Sequence, residues 1–211
     1  MERGDPATRD DIPNPFSDHG HGFEIVALAA SAGGLTALSH VLSALPDGFP
    51  ATIVVVQHLD PRHRSLMADI LSRRTPLKVK QAEEGERLNL ATVYIAPPNR
   101  HLLVNRDQTL SLSQSELVHF VRPSADLLFE SVAASFKDRA IAVVLSGTGS
   151  DGSRGVKAIK KMGGTVIAQD ESSSEYFGMP EAAAKSADFV LGLKEIAPAL
   201  VNLITVRGDV E

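Results

Sequence analysis

The chain has 211 residues, 43% of them hydrophobic, and a formal net charge of -5. This length and composition suit one α/β domain with a sizeable core, and the 21 Lys and Arg residues form no long basic run of the kind that binds nucleic acid. Because cysteine is absent, a disulfide framework, a thiolate metal site and a cysteine nucleophile are excluded.

Residues 1–22 contain many charges and three prolines without a periodic apolar pattern, which is typical of a solvated tail. His19 and His21 lie there without further metal ligands, and we interpret them as exposed. The mixed charge of residues 1–10 leads into no apolar core, so we expect no signal peptide, and no run of the sequence approaches the roughly 20 apolar residues that would span a bilayer. We therefore expect a cytoplasmic protein without membrane insertion, with a disordered tail over 1–22 and one folded domain over 23–211.

Strands and helices alternate from residue 23 onward. The apolar run 25–30 ends at Ser31, and two glycines then open a helix whose leucines recur at helical spacing. A second apolar run, 52–57, ends at His58 and is followed by a helix through Leu71 and a short strand to Gln81. Short β-branched runs of this kind indicate buried strands of a parallel sheet.

The segment 92–113 has a different pattern. Three short apolar runs, 93–95, 102–104 and 110–113, follow one another too closely for helical crossovers. We predict that all three form antiparallel hairpins appended to the parallel sheet.

The C-terminal half returns to alternation. Ser124 is predicted to cap a helix that ends near Phe136, and the strand 141–145 leads through a loop containing Asp151 to a further helix. Two more strand and helix pairs follow. The predicted fold class is a doubly wound, mostly parallel α/β sheet flanked by helices in three layers, with an antiparallel hairpin extension.

Ser31, His58 and Asp151 each follow the end of a predicted parallel strand. Ligands of open parallel sheets lie outside the carboxyl ends of the strands, where these three side chains would meet. A serine hydroxyl becomes a useful nucleophile when a histidine takes its proton and a carboxylate orients that histidine. Taken singly, each residue has an ordinary structural role as a helix cap, a strand end or a turn residue, but together they indicate a serine hydrolase.

Residues 147–152 offer an alternative, because they match the glycine spacing of a dinucleotide-binding turn between a strand and a helix. Asp170 follows the next strand, as a ribose-binding acid would. Asp151, however, would place a negative charge in the turn that receives the pyrophosphate, so we rank this interpretation lower. A metal hydrolase using His58, His63 and Asp60 matches no strong ligand motif.

Seven segments, taken in order, resemble the catalytic domain of the CheB-type protein-glutamate methylesterase family. They are Ala30 to Gly34, Gln57-His58, Ala82 to Arg87, Tyr94 to Pro97, Arg122 to Ser124, Gly147 to Gly152 and Phe177 to Pro180. The likeness runs from about Phe23 to the end of the chain. Ser-Ala-Gly-Gly-Leu and Gly-Thr-Gly-Ser-Asp-Gly look closest to methylesterase domains that are fused to a methyltransferase.

The resemblance implies a triad of Ser31, His58 and Asp151 and hydrolysis of glutamate γ-methyl esters on the cytoplasmic helices of chemoreceptors. Methanol would be released, glutamine deamidation would accompany the reaction, and no cofactor or metal would be needed. Backbone N–H groups at Ala32 and Gly33, together with Thr148 and Gly149, are the expected oxyanion hole.

Two departures from the chemotaxis members affect these expectations. Chemotaxis members usually carry an N-terminal phosphorylatable receiver domain, whereas about 22 tail-like residues precede the first predicted strand here, so we do not expect control by phosphorylation within this chain. A partner methyltransferase or a separate response regulator is the expected protein partner besides the receptor. Ala32 and Thr148, at the expected oxyanion hole, stand where the resemblance to chemotaxis members implies a threonine and a methionine, and we therefore expect rate and substrate preference to differ from theirs. An esterase, a dinucleotide-binding module and a catalytically silent docking domain in a chemotaxis-like pathway are the three hypotheses that remain.

Overall fold

The computed structural model describes residues 24–58 and 65–208. The predicted tail over 1–22 lies outside the described residues, as do Asp60 and His63. The strands are β1 Ile25–Ala30, β2 Thr52–Gln57, β3 Lys78–Gln81, β4 Thr92–Ile95, β5 His101–Val104, β6 Leu110–Ser113, β7 Ala140–Val144, β8 Thr165–Gln169 and β9 Phe189–Leu191. The helices are α1 Gly34–Ser43, α2 Met67–Ser72, α3 Ala125–Phe136, α4 Ser153–Lys161, α5 Gly178–Ala184 and α6 Leu193–Gly208, with a 3-10 turn at Lys137–Arg139.

Seven strands form one sheet in the order β3-β4-β2-β1-β7-β8-β9, and every pairing in it is parallel. The chain runs from β1 outward to β2 and later returns to β7 on the other side of β1. The strand order therefore reverses at the centre of the sheet, which is where open α/β sheets form a crevice at the carboxyl ends of their strands. The predicted doubly wound fold is confirmed.

Two apolar layers enclose the sheet. Side chains of β1 alternate between them, so that Ala27 and Ala29 face the layer built with α3, α4 and α5, while Val26 and Leu28 face the layer built with α1, α2 and α6. β1 and β2 are buried along their whole length, as expected for central strands with helices on both faces. None of the helices in the described part of the chain combines the length and apolar character that a bilayer-spanning segment requires.

The prediction that three consecutive hairpin strands extend the sheet is wrong for the first of them. β4 lies inside the main sheet, parallel to both β2 and β3, and all four of its residues are buried. Of the three predicted hairpin strands, β5 and β6 pair in the antiparallel sense, and they form a separate two-stranded sheet. The side chains of β4 are covered on both faces of the sheet, which explains its interior position. Its connection to β3 is nevertheless short.

Candidate active site

Ser31 and His58 leave the sheet side by side. Ala30 at the end of β1 is paired with Gln57 at the end of β2, so the next residue of each chain segment is one of the two candidates. The His58 N–H donates to the Ala30 carbonyl at 3.1 Å, and the Ser31 N–H donates to the Ser146 carbonyl at 3.0 Å. Continued alternation directs both side chains toward the layer that contains α3.

The Gln57 side chain joins the two segments. Its Nε2 donates to the Ser31 carbonyl at 2.7 Å and to the His58 carbonyl at 3.1 Å. The residue is 5% exposed, and its Oε1 lies so close to Gly34 that a β-carbon on Gly34 would approach it to 2.1 Å. Glycine at the start of α1 thus makes room for an amide that holds two candidate catalytic residues.

Asp151 precedes α4 in the chain, but its side chain lies against the N-terminus of α3 and accepts four hydrogen bonds. Its Oδ2 accepts from His58 Nε2 at 2.8 Å and from the Ala125 N–H at 2.7 Å. Its Oδ1 accepts from Ser124 Oγ at 2.9 Å and from the Asp126 N–H at 3.0 Å. Because the first N–H groups of a helix have no partner within the helix and carry partial positive charge, this position favours an anion.

These contacts keep the carboxyl group ionised. Burial acts to raise the pKa of Asp151, but the hydrogen bonds from His58 and from the Ala125 and Asp126 N–H groups outweigh it, and the pKa is lowered from its ordinary value. Asp151 is therefore a fixed negative charge that orients the imidazole through Nε2. Nδ1 is the ring nitrogen of His58 that remains for another partner.

His101 supports this carboxylate from behind. It is fully buried, its Nδ1 accepts from the Ser124 N–H at 3.1 Å, and its Nε2 donates to the Glu116 carbonyl at 3.0 Å. Burial lowers the pKa of His101, and the Arg122 charge lowers it too, against the opposing effects of the Glu116 carbonyl and Asp151. A neutral His101 therefore fixes the backbone of Ser124, which caps α3 as predicted and whose hydroxyl binds Asp151.

The expected oxyanion-hole residues Ala32 and Gly33 form a turn between Ser31 and α1. The Ser31 carbonyl accepts from the Gly34 N–H at 2.8 Å, and the Ala32 carbonyl accepts from Ser146 Oγ at 2.8 Å. In a planar trans peptide the N–H points away from the carbonyl, so the N–H groups of Ala32 and Gly33 are directed away from those partners. Gly33 has a φ of 74°, which glycine adopts without strain.

Thr148 and Gly149, the other expected oxyanion-hole residues, follow a residue that touches the candidate nucleophile. A β-carbon on Gly147 would lie 2.9 Å from Ser31 Cβ and 2.4 Å from Met179 Sδ. Thr148 and Gly149 themselves are exposed at the same edge of the sheet. The two loops that were expected to supply N–H donors therefore flank Ser31.

Glu175 was not singled out from the sequence, yet it lies against the same turn. A β-carbon on Gly33 would come within 2.8 Å of both Glu175 Oε2 and Ser146 Oγ. Ser146 Oγ in turn accepts from the Tyr176 N–H at 3.0 Å. The segment after β8 thus covers the turn and brings a carboxylate next to it, a contact between distant residues that no local motif announces.

The acids of the dinucleotide-binding hypothesis are engaged within the protein. Asp151 is held by α3 and His58, while Asp170 accepts from Ser172 Oγ at 2.9 Å and from the N–H and Oγ of Ser173 at 2.9 and 2.6 Å. Hydrogen bonds, first from Ser173 and then from Ser172, lower the pKa of Asp170.

Among the residues that the structure describes, no group of three or more His, Asp or Glu side chains is placed to hold a metal ion.

The family described as CheB methylesterase matches residues 26–200. A putative protein-glutamate methylesterase/protein-glutamine glutaminase of Leptospira interrogans is 42% identical over 183 residues, which cover 86% of this chain and 95% of the relative. A protein-glutamate methylesterase/protein-glutamine glutaminase of Moorella thermoacetica is 42% identical over 89% of this chain but only 46% of its own length.

Among solved structures, the CheB methylesterase catalytic domain of Thermotoga maritima matches with a TM-score of 0.83 and 37% identity, covering 86% of this chain and 99% of that domain. Sequence and structure thus agree over most of the domain described above. The chain belongs to the CheB methylesterase family.

Proposed function

We propose that this chain is a serine esterase that hydrolyses γ-methyl esters of glutamate residues in proteins and releases methanol. Its proposed catalytic residues are Ser31 as nucleophile, His58 as general base and acid, and Asp151 as the group that orients His58. The observation that carries the proposal is the 2.8 Å hydrogen bond between His58 Nε2 and Asp151, formed between loops that follow different strands beside Ser31.

The reaction proceeds in two steps. His58 Nδ1 takes the proton of Ser31 Oγ as the oxygen attacks the ester carbonyl, and the tetrahedral intermediate collapses as His58 returns the proton to the departing methanol. A water molecule, deprotonated by the same nitrogen, then attacks the acyl-enzyme. The bond between the acyl carbon and Ser31 Oγ breaks, His58 returns the proton to Ser31 Oγ, and the glutamate carboxylate is released. The N–H groups of Ala32, Gly33, Thr148 and Gly149 are the proposed donors to the oxyanion.

The substrate we propose is the cytoplasmic helical part of methylated chemoreceptors, which would place the enzyme in the cytoplasm. The same chemistry on a glutamine side chain releases ammonia, so protein-glutamine deamidation is the proposed companion activity. Relatives whose names combine both activities support this pairing. A methyltransferase or a separate response regulator is the proposed additional partner.

The test is methanol release from methylated receptor fragments. We expect Ser31→Ala and His58→Gln each to lower the rate by about 10⁴-fold or more, since triad members act as a unit. Ser43→Ala is the matched control, because Ser43 is an exposed serine at the far end of α1 whose hydroxyl donates to the His40 carbonyl. Wild-type protein that releases no methanol, or a Ser31→Ala variant that retains the wild-type rate, contradicts the proposal.

A further inference from the structure

A tight turn beside the candidate active site carries an exposed aromatic side chain at its tip. Val118 and Val121 face each other in an antiparallel bridge, with N–H to carbonyl distances of 3.2 and 2.9 Å, which leaves His119 and Phe120 as the two turn residues. Phe120 is 94% exposed, and neighbouring Leu117 is 53% exposed. Phe120 therefore adds little to the packing of the folded protein.

The backbone of this turn is unfavourable for the residues that occupy it. His119 and Phe120 have φ values of 49° and 63°, in the left-handed region where two-residue turns normally place glycine or asparagine. A bulky aromatic residue in that conformation, without packing partners to compensate, is not explained by stability. Residues held in such conformations concentrate at sites of binding and catalysis.

The base of the turn is firmly attached. The Arg122 guanidinium donates to Asn99 Oδ1 through Nε at 3.0 Å and Nη2 at 2.7 Å. Its Nη1 donates to the carbonyls of Gln114 at 3.0 Å and Ser115 at 2.6 Å. One side chain thus ties both ends of the 114–122 segment to the loop after β4, and the tip projects from an ordered base.

Hydrogen bonds connect the tip to the carboxylate of the proposed triad. His119 Nε2 lies 3.1 Å from Asp126 Oδ2, and the Asp126 N–H donates to Asp151 Oδ1 at 3.0 Å. Shortly after the turn, Ser124 donates to the same Asp151 oxygen. Phe120 therefore protrudes next to the N-terminus of α3, at the edge of the sheet where the ester would bind.

We propose that Phe120, assisted by Leu117, is an apolar anchor for the protein substrate. The inference rests on the proposed function: the ester is carried by a short glutamyl side chain, so the backbone of a receptor helix must come close to this edge before the ester reaches Ser31. Apolar side chains of that helix, one turn from the methylated residue, would pack on Phe120. The anchor sets affinity for the protein and takes no part in bond making or breaking.

The decisive variant is Phe120→Gly, because glycine removes the aromatic ring and also relieves the left-handed backbone. We expect KM for the methylated receptor to rise about tenfold, which corresponds to about 1.4 kcal/mol of binding free energy. We expect kcat to stay within about twofold of wild type and the melting temperature to be unchanged or higher. Hydrolysis of p-nitrophenyl acetate, a small ester that does not reach the turn, stays at the wild-type rate. Met162→Ala is the control, since Met162 is an exposed apolar residue at the end of α4 on the opposite edge of the sheet.

A binding measurement separates this inference from the proposed function. In a Ser31→Ala background, which leaves the ester intact, adding Phe120→Gly should raise the Kd for methylated receptor fragments about tenfold, whereas adding Met162→Ala should not. An unchanged Kd overturns the anchor even where wild-type protein hydrolyses both esters. An equal loss toward the small ester also overturns it, because the turn would then shape the triad. Wild-type protein that binds through Phe120 but hydrolyses neither ester refutes the proposed function and leaves the anchor standing.

Discussion

His101 shows how a single buried side chain supports the proposed site without facing it. Its imidazole is fully buried and uses both ring nitrogens, one toward Ser124 and one toward Glu116. Protonation would place a charge in an apolar environment and would remove the acceptor that holds the Ser124 N–H. The neutral state of this residue is therefore part of the alignment of α3 with Asp151.

The lowered pKa of His101 predicts how stability depends on pH. Because the folded-state pKa lies below that of the unfolded chain, its contribution is complete above about pH 6.5 and is lost as pH falls from there through the folded-state value. We expect urea unfolding at pH 7.5, 6.5 and 5.5 to show a smaller loss of stability toward acid pH in His101→Gln than in wild type. His40→Gln, a change at an exposed histidine, should keep the wild-type slope, and an equal slope in both variants would refute the assignment.

The three proposed catalytic residues were accessible from sequence because each follows a recognisable apolar strand. Sequence reasoning did not reveal the roles of four other residues, because these roles arise from contacts across the fold: Gln57, His101, Ser146 and Glu175. Gln57 is part of an apolar run, and nothing local indicates that its amide faces two carbonyl groups. His101 meets Ser124 only because β5 packs beside the start of α3.

At the scale of elements, the N-termini of α3 and α4 are joined by two carboxylates, each of which accepts hydrogen bonds from the N–H groups of the other helix. Asp151, just before α4, binds the first N–H groups of α3, and Asp126, in the first turn of α3, accepts from the Arg154 and Gly155 N–H groups of α4 at 2.9 and 2.7 Å. Gly155 allows the helices to approach, because a β-carbon there would lie 2.6 Å from Phe129 Cβ. Asp151, the proposed orienting carboxylate, thus also links the two helices.

Removal of the second carboxylate should uncouple this helix pair. Asp126→Ala removes the acceptor of the buried Gly155 N–H and of the partly buried Arg154 N–H, and we expect a loss of about 2–4 kcal/mol in the free energy of unfolding. Asp126→Asn retains an acceptor oxygen and should lose roughly half as much. Denaturant unfolding measures both, with Asp47→Ala as an exposed control expected to change stability by about 0.5 kcal/mol or less. An Asp126→Ala variant no less stable than the control would contradict this link between the helices.

β4 shows where prediction of elements from sequence reached its limit. Its position along the chain, close to β5 and β6, favours a hairpin by local rules, whereas its partners β2 and β3 become apparent only from the folded sheet. The helices were easier, since α3 begins at Ser124 and α1 follows its glycine pair as predicted. Local signals define element ends well, but strand partners depend on which side chains must be covered on both faces.

For the whole molecule, burial decreases from the centre of the sheet to its edge. Every residue of β1 is fully buried and the strand is paired on both sides, whereas β9 pairs only with β8 and leaves Phe189 and Val190 at 42% and 49% exposure. The proposed catalytic loops follow β1, β2 and β7, which lie at the centre. The site is therefore carried by the most protected part of the fold.

Hydrogen exchange tests this distribution. Amides of β1 and β7 should exchange only through global unfolding, whereas those of β9 should exchange through local opening and thus far earlier. Peptides covering 25–30, 140–144 and 189–191, followed by mass spectrometry, give the comparison directly. Equal protection of β9 and β1 would show that the sheet opens as one unit.

The side-chain amide of Gln57 also determines which sequence changes near the proposed site the fold tolerates. Because its Nε2 donates to the carbonyls of both Ser31 and His58, the spacing of these two residues is set at the carboxyl ends of β1 and β2 and not by the segments that follow them. We therefore expect insertions, deletions and substitutions in the segments after Ser31 and His58 to leave the spacing of these two residues unchanged.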